Sequence, residues 1–165
     1  MTDAESERRV GDTTAADGGY FRNDPPGEAS AADARYVRVD DVIGLHPVAE
    51  DTGLTLRPVF GASMTMSFVF FEPHTEAPPH RHAEEQMGTI LEGSLEFDLD
   101  GDRRILGPGD VYVVPPWVPH GAVSGDGPAL ALDVFSPPRE GFAELMEQAL
   151  RAAGTDPSAG GAPLG

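Results

Sequence analysis

The chain has 165 residues and a formal net charge of −17, with no cysteine and no lysine; 39% of its residues are hydrophobic, which suits a single core. Without cysteine there is no disulfide, thiolate nucleophile or cysteine-bound zinc, so any metal must be held by nitrogen and oxygen. The acidic balance carries no basic stripe for a phosphate backbone, which argues against nucleic acid, and no apolar run is long enough to span a bilayer.

In chain order, residues 1–34 come first, with eight of the 28 acids and three of the 11 basic residues. They are almost free of aliphatic side chains, cannot bury enough apolar area to offset chain entropy, and read as a disordered acidic tail. They also lack the basic-then-apolar pattern of a secretory signal, so the expected location is cytoplasmic. A folded domain is expected over 35–153. From Tyr36 it runs as short β-rich segments, YVRV, LTLRPVF, MTMSFVFFE, MGTILEG, LEFDL, RRIL, VYVVP and ALALDVF. Turn signals stand between them, and Asp100-Gly101 has the composition of a type I′ hairpin. This pattern predicts an all-β antiparallel sandwich or barrel. Met64, Met66, Phe68, Phe70, Phe71, Tyr112 and Trp117 read as its core. One helix is expected, over 140–153, with Phe142, Leu145, Ala149 and Leu150 on one face, packed on the barrel exterior or on a second subunit. Residues 154–165 read as a second disordered tail.

Three of the five histidines fall in two places, PPHRHAEEQ at 78–86 and VVPPWVPHGA at 113–122. Residues two apart in a strand leave the same face about 6.5 to 7 Å apart, close enough for His80 and His82 to converge on one ion. If the strand stays extended, the same parity reaches Glu84 and Gln86, and the Gln86 amide oxygen becomes a third ligand. A bulge would instead turn Glu85 inward. His120 follows a proline-stiffened loop, Pro115 to Pro119, that limits where its imidazole can point, and it supplies the fourth ligand.

These two stretches, H-x-H-x-x-x-Q over 80–86 and G-D-x-x-x-x-P-x-x-x-x-H over 109–120, resemble the two signature motifs of the cupin superfamily, with the match extending over about 53–139. The resemblance implies an antiparallel cupin β-barrel, or jelly roll, open at one end, with a short C-terminal helix, a metal inside and often a homodimer. Most members place glutamate where this chain has Gln86. The glutamine version is similar to a subset that includes uronate-linearising isomerases and an isomerase of bacilysin biosynthesis. In the uronate-linearising enzymes Asp, Phe and Arg occur with the spacing of Asp133, Phe135 and Arg139, which implies that these residues line the pocket.

Three imidazoles and an amide leave the full 2+ charge on a metal, and so favour Lewis-acid chemistry over oxygen activation. The set accepts Zn, Ni, Fe, Co or Mn. The expected function is that of a metal-dependent isomerase, tautomerase or lyase on a small oxygenated carboxylate, either a uronate-like sugar or a polyketide-like intermediate. Asp133 would move a proton and Arg139 would hold the carboxylate. Asp133 and Arg139 are also spaced to form an edge-strand salt bridge. A non-haem Fe(II) dioxygenase and a non-catalytic small-molecule binder stand as alternatives.

Overall fold

The computed structural model describes residues 36–49 and 52–154. The expected tail 1–34 lies outside them, as does all but Gly154 of the tail expected over 154–165. The described chain contains nine strands, β1 Leu54–Phe60, β2 Thr65–Phe71, β3 Glu76–His80, β4 Glu85–Glu92, β5 Leu95–Leu99, β6 Asp102–Leu106, β7 Val111–Val114, β8 His120–Ser124 and β9 Ala129–Ser136, followed by helix α1 Glu140–Ala152. They form a five-stranded sheet in the order β1-β2-β9-β4-β7 and a four-stranded sheet in the order β3-β8-β5-β6. Every strand pair is antiparallel. This is the double-sheet jelly roll.

The alternation of side chains in each strand sets the inner face. In β9, Ala129, Ala131, Asp133 and Phe135 are buried while Leu130, Leu132 and Val134 face outward, and in β4 the buried positions are Gln86, Gly88 and Ile90. The two inner faces meet in one core, where Phe97 of β5 stacks on Tyr112 of β7 at 4.3 Å. Each fully enclosed aliphatic side chain there, such as Ile90 or Leu95, contributes about 1.5 to 3 kcal/mol. The Asp100-Gly101 pair does form a tight hairpin, with φ of 51° and 88°, as a type I′ turn requires.

Several sequence expectations need correction. YVRV is not a strand; Val39–Asp41 form a short 3₁₀ turn instead. Arg57 of β1 pins that turn by donating from Nη1 to the carbonyls of Val39, Asp40 and Val42 at 3.0, 2.8 and 3.1 Å. Two strands were not legible. β3 contains Pro78 and Pro79, which fit only because β3 is an edge strand with a register shift between Ala77 and His80. β8, HGAVS, lacks a β-branched alternation but is held between β3 and β5.

Several side chains read as core lie outside it. Met64, Met66 and Trp117 are 47%, 37% and 62% exposed. The inward residues of β2 are Thr65, Ser67, Val69 and Phe71, so Met66, Phe68 and Phe70 belong to the opposite face. The helix differs as well: Phe142 and Met146 are its buried residues, and Phe142 meets Phe135 edge-on at 5.2 Å beside the cavity.

Candidate metal centre

The two sheets enclose a cavity of about 340 Å³. Leu54, Leu56, Val69, Phe71, Phe97 and Phe135 line it together with His80 and His120. His80 and His120 are direct cross-strand partners at the ends of β3 and β8, with ring centroids 4.3 Å apart. His82 is not on a strand. β3 stops at His80 and β4 begins at Glu85, so the extended parity expected over 80–86 is broken between them. The bend nevertheless brings His82 to 5.0 Å from His120 and 5.8 Å from His80, measured between rings. The backbone N–H of Trp117 holds it there, donating to the His82 carbonyl at 2.7 Å and tying the proline loop to the histidine motif. Ligand nitrogens of all three rings lie within 4.8 Å of one another. Gln86 is 4% exposed and turns its Oε1 to His82 Nε2 and His120 Nε2, each 3.1 Å away, whereas Glu85 is exposed.

The hydrogen bonds around these rings decide what the cluster fits. The Nδ1 atoms lie 2.8 Å from the Pro78 carbonyl for His80, 2.9 Å from that of Glu84 for His82, and 2.9 Å from that of Val118 for His120. A carbonyl only accepts, so each Nδ1 carries the ring proton and each neutral ring presents a lone pair at Nε2. Burial holds all three imidazoles below their ordinary pKa, with the Arg139 charge acting in the same direction, and His120 falls to about 4. Two nitrogen lone pairs and an amide oxygen therefore point at one another, an arrangement that repels unless a cation sits among them. The donor set fits a divalent transition metal held by nitrogen and oxygen.

Around this cluster lie the other residues singled out by sequence. Asp133 is buried beside the cavity, and burial raises its carboxyl to about 6. The expected alternative, a salt bridge between Asp133 and Arg139, does not form. Arg139 donates to Glu84 at 3.1 Å instead and lies over the rings of Phe135 and Phe142 at 5.4 and 5.1 Å. The reason is position: Asp133 points into the barrel from mid-strand, while Arg139 follows the strand's end. Glu84 Oε2 also stands 3.3 Å from His82 Nδ1.

Three neighbours were not recognised from sequence. Tyr112, read as core, donates its hydroxyl to Asp133 Oδ1. The clue available was a tyrosine, rather than a phenylalanine, at an inward position, since a buried phenol needs a partner. Gly88, a glycine inside a strand, was a second clue. Glu84, placed by parity on the ligand face, is in fact the partner of Arg139.

Comparison with known proteins agrees with this fold. The cupin domain family matches residues 67–135. The chain is 34% identical over 80 residues to the pectin degradation protein KdgF of Dickeya dadantii, covering 48% of this chain and 73% of that one. It is 36% identical over 67 residues to the H2HPP isomerase of Bacillus subtilis, covering 39% of this chain but only 28% of that protein's length. Among solved structures, KdgF from Halomonas sp. superposes with a TM-score of 0.59 at 27% identity, over 66% of this chain and 98% of that one. The polyketide cyclase RemF from Streptomyces resistomycificus does so with a TM-score of 0.54 at 25% identity, over 62% and 79%. A jelly roll with both histidine motifs turned into one cavity, and a relative matched along most of its length, together place this chain in the cupin superfamily.

Proposed function

We propose that this cupin is a metal-dependent isomerase, tautomerase or lyase whose metal is held by His80, His82, Gln86 and His120. The observation that carries this reading is the convergence of three lone-pair nitrogens and one amide oxygen at a cavity that also exposes a buried carboxylate. A divalent cation in such a neutral donor set supplies Lewis acidity toward a substrate oxygen. Asp133 would take a proton from a carbon beside a substrate carbonyl and return it to another atom of the same molecule, which balances as an isomerisation. Arg139, steadied by Glu84 and two phenyl rings, offers its cation to a substrate carboxylate at the cavity wall.

The apolar wall favours one substrate class over the other. A uronate sugar brings a hydroxyl on nearly every carbon, and each one buried against Leu54, Leu56, Val69 or Phe71 without a partner costs about 1 to 3 kcal/mol. A planar aromatic or polyketide-like intermediate, polar at one end only, avoids that cost. The likeness to a structure named as a polyketide cyclase supports this choice.

The test is elemental analysis of the purified protein and a His82→Ala variant after exposure to Zn, Ni, Co, Mn and Fe(II) without chelators. About one metal per chain in the parent and far less in the variant is expected. No metal in either sinks the mechanism and leaves a small-molecule-binding barrel. Turnover that requires iron and consumes oxygen would replace it with the dioxygenase reading.

A further inference from the structure

Strand register orders the two inner faces of the barrel in rows. On the five-stranded sheet, cross-strand pairing sets Thr65, Phe135 and Gln86 in one row, Ser67, Asp133 and Gly88 in the next, then Val69, Ala131 and Ile90, and last Phe71 and Ala129. β1 adds Leu56 to the third row and Leu54 to the fourth. On the four-stranded sheet the order is His80 with His120, then Ala77, Ala122 and Phe97, then Ser124 and Leu95. The two series run side by side: Gln86 Oε1 meets His120 Nε2 in the first row, and Phe97 stacks on Tyr112, the partner of Gly88, in the second. Within the barrel, the ionisable and ligating side chains that line the cavity fall in the first two rows, and beyond them the lining is aliphatic or aromatic.

The cavity reaches all four rows, since Gln86, Asp133, Ala131 and Phe71 all line it. Rows two residues apart are about 6.5 to 7 Å from each other, so the first and fourth are about 20 Å apart. A sphere of about 340 Å³ would be only about 9 Å across and could touch no more than two rows. The space is therefore a slot that runs along the strands. At its apolar end, Leu45 pairs with Leu56, and His46 Nδ1 lies 3.3 Å from the Leu54 carbonyl, which brings Pro47 and Val48 to the fourth row. Val48 lines the cavity and is also 51% exposed, so it stands where the slot meets solvent. Ala131 keeps the slot continuous. It is 1% exposed and lines the cavity, and its cross-strand partners are the larger Val69 and Ile90. A side chain of their size at position 131 would project from the same face and separate the polar rows from the fourth.

We infer that the cavity takes its substrate lengthwise, and that Ala131 is the specificity-determining residue that sets how long the substrate can be. The ligand is a carboxylate whose apolar part is about two linked rings long. Its polar head lies among Arg139, Asp133 and the histidine cluster, and its tail passes Ala131 and ends beneath Val48. The inference rests on the reading above that this cavity binds a carboxylate substrate. A single ring with its carboxylate at the polar rows covers about one row spacing and stops short of Ala131. A second ring reaches Leu56 and Val69, and the apolar area it buries there raises affinity by about tenfold or more.

The experiment is calorimetric titration of the full chain, with and without Zn(II), by benzoate and by 4-phenylbenzoate, for the parent, Ala131→Leu and Val48→Asp. The quantity read is the ratio of the two affinities, because a variant that only loosens the fold weakens both acids alike and leaves the ratio unmoved. The parent should prefer 4-phenylbenzoate by about tenfold or more. Ala131→Leu should bring the ratio near one, and Val48→Asp, which sets a carboxylate against the end of the tail, should lower it several-fold. If overpacking keeps Ala131→Leu from folding, the exposed position of Val48 lets Val48→Asp decide the matter alone. A parent that binds both acids equally, or variants that fold and keep the parent's ratio, overturn the lengthwise slot while leaving the carboxylate site standing. A parent that binds neither acid, loaded or metal-free, overturns the carboxylate reading of the cavity and this inference with it.

Discussion

Arg139 donates to Glu84 at 3.1 Å, and both side chains are largely withdrawn from solvent, at 19% and 13% exposure. The guanidinium proposed to receive a substrate carboxylate is therefore already partnered, by a carboxylate from the bend that carries His82. Removing the cation strands Glu84 and uncovers the faces of Phe135 and Phe142, so Arg139→Ala should lower stability by about 2 to 3 kcal/mol in urea unfolding. Arg139→Met, which keeps the aliphatic contact, should lose less. Equal losses in the two variants would show that the rings contribute nothing.

Glu84→Gln tests the other half of that pair. The neutral amide still accepts from Arg139 but leaves its charge uncompensated, so a small carboxylate such as benzoate should bind the metal-free variant several-fold more tightly than the parent in calorimetric titration. Unchanged binding would place the anion site elsewhere.

Gly88→Ala inserts a methyl group where the Tyr112 ring and Asp133 already meet, and backbone on both sides limits relaxation because β4 is an inner strand. The expected cost is about 1 to 3 kcal/mol, read as a lower urea midpoint with an unchanged slope. A neutral outcome would mean that the Tyr112 and Asp133 side chains can part freely.

Ser67 is fully enclosed, and its Oγ has no hydrogen-bond partner among the described residues. Burying an unpaired hydroxyl is unfavourable, so Ser67→Ala should be neutral or more stable by up to about 1 kcal/mol, against the usual trend of core substitutions. Destabilisation in the same assay would reveal a partner for Oγ.

The outer face of the five-stranded sheet is apolar over its centre. Met87 is cross-strand partner to both Val113 and Val134, and Met87, Val111 and Val113 are 48%, 63% and 45% exposed. Met66, Phe68 and Phe70 continue the surface on β2. A face of this composition suits a second copy of the chain. Light scattering should find a dimer for the parent and a monomer for Met87→Glu/Val113→Glu, with the metal content unchanged. A monomeric parent would refute the homodimer.

The strand-rich pattern, the Asp100-Gly101 hairpin, the single C-terminal helix and the two histidine stretches were legible because each is a local property: period-two burial, turn chemistry or ligand spacing. The inward side of Gln86 rather than Glu85 follows from the same alternation, although the strand meant to carry it from His80 is interrupted. Sequence alone determined that this chain builds an antiparallel β-sandwich or barrel, and it marked two histidine stretches whose residues suit nitrogen-and-oxygen metal ligation. Tertiary structure alone decided which of two alternating faces of β2 is the core, that prolines 78 and 79 sit in an edge strand, that Glu84 and not Asp133 pairs with Arg139, and that Tyr112 and Asp133 meet across Gly88. Each of those depends on which strands are neighbours and in what register, and register is set by the packing of residues far apart in the chain, where a slip of one position exchanges one face for the other.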